Sequence, residues 1–203
     1  GKEGGYTLTV EEVMAKIEQS KKLGVTTVLL QGGLHPDLKM DFYVKLVTET
    51  KRGFPGITPH FFSAPEIYNM AEVNHISIRE VLQMLWDAGQ RTLPGGGAEI
   101  LSESVRKKIS PKKNKNNVWV TVHETAHEIG FRSTATMMYG SIETPNDILI
   151  HLQTIRDLQD RTGKFTAFVP WSYKKTNTPL EQKMPEWAGE NAYFRILAFS
   201  RIF

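Results

Sequence analysis

The chain contains no cysteine. That excludes disulfides, and it excludes any thiolate-held metal or cluster within these residues. No apolar run approaches the roughly 18 residues that a membrane-spanning helix needs. The opening GKEGGYTL has no charged segment followed by an apolar one, so it does not read as a signal or transit peptide. The expectation is a cytoplasmic protein with no membrane partner. Charge of one sign is also scarce: 25 Lys and Arg against 22 Asp and Glu leave +3, too little to argue for nucleic acid. What remains is an ordinary globular composition, 40% hydrophobic and 23% charged. Its 203 residues suffice for one buried domain or for part of a larger one.

A repeat organises these residues. Five times an amphipathic helical run ends near a glycine and a short apolar run follows. Gly24 precedes VTTVLLQGG, Gly56 precedes ITPHFFS, Gly89 precedes QRTLPGGG, Gly130 precedes FRSTATMMYG and Gly163 precedes KFTAFVPW, at intervals of 32, 33, 41 and 33 residues. Each glycine reads as a left-handed helix C-cap, and each run after it as a parallel strand covered on both faces. TVEEVMAKIEQSKKLG opens on Thr9 with Glu12 three residues on, a capping box. Asp41 is expected to cap FYVKLVTETKRG in the same way. PEIYNMAEVN and SIREVLQMLWDAG divide one crossover into two helices, and SESVRKKI adds a short one. This is an α/β pattern. Polar or glycine-rich chemistry at nearly every strand end favours a barrel over a doubly wound sheet, which gathers it at one switch point.

A whole barrel has eight such units in about 250 residues, and five are visible. The chain begins on a helix with no strand before it and ends inside a helical run, ENAYFRILAFSRIF. The expectation is an incomplete TIM-type (β/α) barrel, a single partial domain over 1–203, truncated at both ends.

The stretch VHETAHEIG contains HExxH, a zinc signature in which two histidines on one helix side grip the ion. Three features oppose that reading. The longer pattern HExxHxxGxxH fails at its last position, where Ser133 stands, and Glu143 as a third ligand lies beyond the next strand. At about 100° per residue the apolar stripe is Val118, Trp119, Val122, Ala126 and Ile129, with His123 and His127 on its flank, where histidines pack half-buried. The motif also fills the last two turns of its helix, which point to the face of a barrel away from its active site. No metal is therefore assigned to these residues.

The strand ends hold the candidate chemistry. QGGLHPD supplies Gln31, Gly32 and Gly33, where a ligand can approach the backbone closely, and His35 and Asp37 as acid–base groups. SAPEI supplies Ser63 and Glu66. PGGGAEI, residues 94–100, places three glycines before Glu99 at the expected start of a helix, a cradle for a polar cofactor. MMYG and PWSY offer Tyr139, Trp171 and Tyr173 as apolar or stacking walls. RKKISPKKNK, residues 106–115, lacks aromatic interleaving and reads as solvated surface, so no nucleic-acid partner is expected.

The set QGGLHPDL, FSAPEI, PGGGAEIL, VRKKISPKK, TATMMYG and LQDRTGKFTAFVPW resembles the radical S-adenosylmethionine (SAM) enzymes of the futalosine pathway of menaquinone biosynthesis. The similarity runs from about residue 7 to the C-terminus. TATMMYG and FTAFVPW look most like the members that cyclise dehypoxanthine futalosine. The aminofutalosine and deazaflavin (FO) synthases share the QGGLHP-like and glycine-rich elements. The resemblance implies a barrel in which a [4Fe–4S] cluster cleaves S-adenosylmethionine reductively. The deoxyadenosyl radical formed would take a hydrogen from the substrate ribose, and the carbon radical would close a ring. It implies a nucleoside-type substrate and an electron donor such as flavodoxin or ferredoxin. Gln31, Gly32 and Gly33 would meet the methionine end of the cofactor, Ser63, Gly96, Gly97 and Glu99 would face cofactor or substrate, and Tyr139 and Trp171 would wall the substrate. His35 and Glu66 would contact substrate or transfer protons as catalytic residues.

Departures from the family accompany the likeness. The family's cluster sits on CxxxCxxC after its first strand, and truncation explains the loss of strand and cysteines together. Ser141 stands where a His usually follows MMYG, Asn114 where a Cys is common after SPKK, and Arg91 replaces an acid in GQRTLPGGG. A cluster-free barrel module that binds SAM or a nucleoside is the alternative from another class. A zinc hydrolase built on HETAH ranks last.

Overall fold

Thr9 begins the first helix by the exchange its sequence announces. Its hydroxyl accepts the Glu12 N–H at 3.2 Å, and the Glu12 carboxylate accepts the Thr9 N–H at 2.7 Å. The computed structural model describes residues 5–110, 116–178, 181 and 189–203. Its helices are α1 (Val10–Lys21), α2 (Met40–Gly53), α3 (Ala64–Asn74), α4 (Ile78–Asp87), α5 (Glu103–Ile109), α6 (Asn116–Ile129), α7 (Pro145–Thr162) and α8 (Glu190–Ile202). Reciprocal caps also open α4 through Ser77 and Glu80 and α7 through Thr144 and Asp147. At α2 the expected cap is displaced. Lys39 holds the cap position with no side-chain bond, and Asp41 lies within the first turn, where its charge faces the positive end of the helix.

The strands are β1 (Thr27–Leu30), β2 (Thr58–Phe61), β3 (Thr92–Leu93), β4 (Arg132–Tyr139) and β5 (Phe165–Ser172). They pair in parallel in the order β1-β2-β3-β4-β5. Each strand lies beside the next in sequence, with no switch point, and this order makes an arc of a β/α barrel. Four of the five glycines of the repeat have positive φ: Gly24, Gly89, Gly130 and Gly163. Gly56 does not, because α2 ends three residues earlier, with Phe54 as its cap.

Alternation along the strands sorts the two faces. Phe61 on β2 and Ala135 on β4 are buried against helices, with Leu46, Leu82, Leu85 and Val122 in the same core. The residues between them in the pleat, His60, Thr134 and Thr136, face the other way into a cleft.

On α6 the stripe Trp119, Val122 and Ala126 is buried, as its period requires. The histidines depart from the expected flank. His123 is 0% exposed and His127 3%, so both belong to the helix–sheet interface. They meet Ser133, the second residue of β4, at the N-terminal end of the strand. Glu143 lies past the other end of that strand, and six residues of extended chain from Ser133 to Tyr139 span roughly 20 Å. Its carboxylate accepts the N–H groups of Gly140 and Ser141 and the Ser141 hydroxyl. Arg91, the departure at β3, packs 3.9 Å over the Trp86 ring and donates to the Trp86 and Gln90 carbonyls.

Candidate functional site

All five strands, or the loops that follow them, border one cleft of about 660 Å³. Its walls are Gln31, Gly32 and Gly33 after β1, Ser63, Pro65 and Glu66 after β2, and Pro94–Gly97 and Glu99 after β3. Leu29 of β1, Leu34, His60 of β2, Thr134 and Thr136 of β4 and Val169 and Trp171 of β5 complete them. A volume of this size accommodates a small-molecule cofactor with a substrate fragment.

Glu66 ties the first two loops together. One carboxylate oxygen accepts the Gly32 N–H at 2.8 Å, and the other accepts the Ser63 N–H at 2.7 Å and the Ser63 hydroxyl at 2.5 Å. Glu66 is 6% exposed. Burial raises its pKa, while the bonds from Ser63 and Gly32 oppose that rise. Phe62, just before Ser63, has φ +62°, a left-handed conformation that is uncommon for an aromatic residue and marks a constrained turn at the cleft.

The PGGG loop lies against the sheet and is not an open cradle. The Gly95 N–H donates to Thr134 Oγ1 at 2.9 Å, and its carbonyl accepts Thr136 Oγ1 at 2.8 Å and Trp119 Nε1 at 3.2 Å. A Cβ at Gly95 would come within 2.4 Å of the Thr134 carbonyl oxygen, and one at Gly97, whose φ is +86°, within 2.5 Å of the Pro65 ring. At Gly96 it would meet the Gln31 amide at 2.4 Å, so the first and third loops touch there. Glu99 is not on a helix, since α5 begins at Glu103. Glu99 has φ +47°, and its carbonyl accepts the Met138 N–H at 2.6 Å.

Arg106 corrects the reading of the basic stretch. It is 4% exposed, and its guanidinium donates to the Gly97 and Ala98 carbonyls at 3.1 and 2.5 Å. Burial lowers its pKa, and the charges of Glu99 and Glu103 raise it. Residues 111–115 of the stretch, with Asn114, lie outside the described residues.

His35, Asp37, Tyr139 and Tyr173, expected at the site, stand apart from the lining. His35 Nδ1 accepts the Asp37 and Leu38 N–H groups at 3.1 and 3.2 Å, so its ring closes a turn. Tyr139 shares the helix-facing side of β4 and is 2% exposed. Burial raises its pKa first, with the neighbouring Tyr193 adding to the rise. Tyr173 is also outside the lining, its hydroxyl donating to Thr178 at 2.8 Å. Trp171 does line the cleft and is 41% exposed. His60, Thr134, Thr136 and Arg106 were missed. The alternation in PHFFS and STATMM carried the signal for the first three, whereas Arg106 shares a run with exposed lysines and gave none.

Residues 1–155 match the description "Radical SAM superfamily". The chain belongs to the radical SAM superfamily of enzymes. It is 42% identical over 180 residues to a Methanosarcina mazei protein named 5-amino-6-(D-ribitylamino)uracil–L-tyrosine 4-hydroxyphenyl transferase 1, covering 89% of this chain and 48% of that one. It is 38% identical over 203 residues to the cyclic dehypoxanthine futalosine synthase of Halalkalibacterium halodurans, covering 100% and 54%. The chain thus spans about half the length of the curated relatives it matches. The solved structure of methylornithine synthase superposes with a TM-score of 0.72 at 16% identity, covering 96% of this chain and 53% of that one, and shows the shared fold.

A radical SAM protein implies S-adenosylmethionine and a [4Fe–4S] cluster. The residues present do not fit the cluster: there is no cysteine, and the described residues hold no group of three or more His, Asp and Glu arranged for a metal. They do fit S-adenosylmethionine. A Cβ at Gly33 would meet nothing within 4 Å, so the backbone is open there beside a cleft of the right size.

Proposed function

We propose that the chain forms the SAM- and substrate-binding cleft of an enzyme that cyclises dehypoxanthine futalosine in menaquinone biosynthesis. The observation that carries this reading is the convergence of all five strands of a radical SAM barrel arc, with the loops after β1, β2 and β3, on one cleft. The match to a cyclic dehypoxanthine futalosine synthase over all 203 residues supports the substrate. S-adenosylmethionine bound in the cleft would supply the hydrogen-abstracting group. Gln31, Gly33 and Gly96 form the wall against its methionine end. Ser63, Gly97 and Glu99 fix the loops around it, and Trp171 covers the nucleoside-type substrate. Glu66 acts through Gly32 and Ser63 as a positioning residue, because its carboxylate already accepts three hydrogen bonds. His35 and Tyr139 carry no role in this reading. A flavodoxin or ferredoxin is the electron donor. No helix among the described residues is long and apolar enough to cross a membrane.

The 42% identity to the hydroxyphenyl transferase favours a second reading, a radical SAM enzyme joining a tyrosine-derived phenol to a ribitylaminouracil. Anaerobic reconstitution of the full-length protein separates the two. Formation of 5′-deoxyadenosine and a cyclised product from dehypoxanthine futalosine is the expected result. Turnover only with tyrosine and the aminouracil selects the second reading. No 5′-deoxyadenosine with either substrate, with cluster and reductant confirmed present, overturns both.

A further inference from the structure

His60 stands on the floor of the cleft. It pairs in register with Leu29 of β1 and Thr92 of β3, two residues below the turn at Phe62 and so roughly 7 Å beneath the loops that form the wall. Its Nδ1 lies 2.9 Å from Thr92 Oγ1, and that hydroxyl donates to the Pro59 carbonyl at 3.2 Å. With its proton directed to Pro59, the Thr92 oxygen receives the Nδ1–H of His60. The neutral ring then presents a lone pair at Nε2. Among the described residues no group hydrogen-bonds that nitrogen, and it is not one of the polar atoms sealed from solvent.

The neighbouring polar groups are committed elsewhere. Glu66 holds Gly32 and Ser63, Thr134 Oγ1 accepts from Gly95, and Thr136 Oγ1 donates to the Gly95 carbonyl. A ligand reaching from the strand-end loops toward the floor meets Leu29 as an apolar surface and His60 as an acceptor.

We infer that His60 is a ligand-contacting residue whose Nε2 accepts a hydrogen bond from a hydroxyl or N–H of a nucleoside-type molecule bound in the cleft, with Thr92 setting the ring's tautomer and orientation. The inference rests on the proposed function for the class of ligand. It assigns the floor of the site, which neither the glycine loops nor the strand-end carboxylates reach.

The test uses the full-length protein with adenosine as the probe. In ¹⁵N-histidine-labelled protein, the His60 Nε2 resonance is expected at the position of an unprotonated ring nitrogen and to shift on addition of adenosine. His60→Asn keeps an amide where Nδ1 meets Thr92 but has nothing at the Nε2 position, and it should weaken adenosine binding about tenfold. His60→Gln restores a polar group at that reach and should recover most of the affinity. A merely structural role gives the opposite order, with His60→Asn binding like the unmodified protein. That order, an unshifted Nε2 resonance, or no adenosine binding by the unmodified protein overturns the inference. A protein that shows the Nε2 shift and the expected variant order but forms no 5′-deoxyadenosine overturns the radical reading and leaves this one standing.

Discussion

His127 Nε2 lies 2.7 Å from Ser133 Oγ, and the same hydroxyl lies 3.1 Å from His123 Nδ1. Ser133 occupies the position where a longer zinc motif would place its third histidine, so both rings turn toward a hydroxyl. The direction of the chain follows from one end. Thr162 Oγ1 donates to the Leu158 carbonyl at 2.8 Å, which makes it the acceptor for His127 Nδ1–H at 2.8 Å. His127 Nε2 then accepts the Ser133 proton, and Ser133 Oγ accepts from His123 Nδ1–H. Every donor in the chain then has one acceptor, and both rings are neutral. His123 also lies against Trp119, ring centroids 4.1 Å apart, and Trp119 holds the Gly95 carbonyl. The buried chain therefore backs the loop that walls the cleft.

Ser133→Ala leaves a buried donor on His123 and a buried acceptor on His127 without partners, and it should cost roughly 2–3 kcal/mol in urea denaturation. A loss under about 0.5 kcal/mol would contradict the chain. Metal analysis of the purified protein should find no zinc held by these residues. One zinc per chain, lost in His123→Ala, would restore the metal reading.

Acid should act through the same rings. Burial holds His123 at about 3, with the charges of His127 and His60 adding to the effect, and it holds His127 at about 4, with Lys164 adding. Burial also holds His151 at about 3. Unfolded histidines take up protons near pH 6.5, so the unfolded state binds more protons as pH falls below that value. Above pH 6.5 the three contribute no pH dependence. Below it, stability falls by about 1.4 kcal/mol per pH unit for each ring until the folded values are reached. Denaturation at pH 7 and pH 5 should differ by roughly 2 kcal/mol per histidine, and His127→Gln should remove about a third of that difference. Equal stability at the two pH values would refute the assignment.

Much of this architecture was legible in local chemistry. Thr9 announces its helix because a cap depends only on residues three apart, and the structure shows the same exchange at Ser77 and Thr144. The glycines announce the strands because a left-handed cap tolerates few other residues. Gly56 mimicked the repeat without sharing its conformation, since α2 had already ended at Gly53. Site residues divided by the same rule. Gln31 and Ser63 just after strands and Trp171 near the end of β5 do line the cleft, whereas His35, on the same loop as Gln31, turns back on its own backbone. Which way His35 turns, and that Arg106 reaches back to Gly97 while its lysine neighbours stay at the surface, are decided by tertiary packing that no short window contains.

The glycine loops yield a graded series. Gly95→Ala drives a Cβ against the β4 backbone at 2.4–2.7 Å, so either the loop or the strand must move. The expected loss is about 2 kcal/mol or more, with weaker S-adenosylmethionine binding in calorimetry. Gly33→Ala meets nothing within 4 Å and should change stability by less than about 0.5 kcal/mol. Equal losses for the two would show that the loop is not fixed against β4.

Glu66→Gln separates a structural carboxylate from a catalytic one. Three donors converge on Glu66, and an amide replaces one acceptor oxygen with an NH₂ that faces an N–H. If Glu66 positions the Gly32 and Ser63 loops, the variant loses about 2 kcal/mol of stability and weakens S-adenosylmethionine binding together. If Glu66 instead transfers a proton during turnover, the variant folds and binds normally and fails only in product formation. Its pKa, raised by burial against the pull of those bonds, does not distinguish the two cases. Paired measurement of unfolding and binding does, and the three donors favour the coupled loss, because both carboxylate oxygens are used as acceptors to hold the two loops.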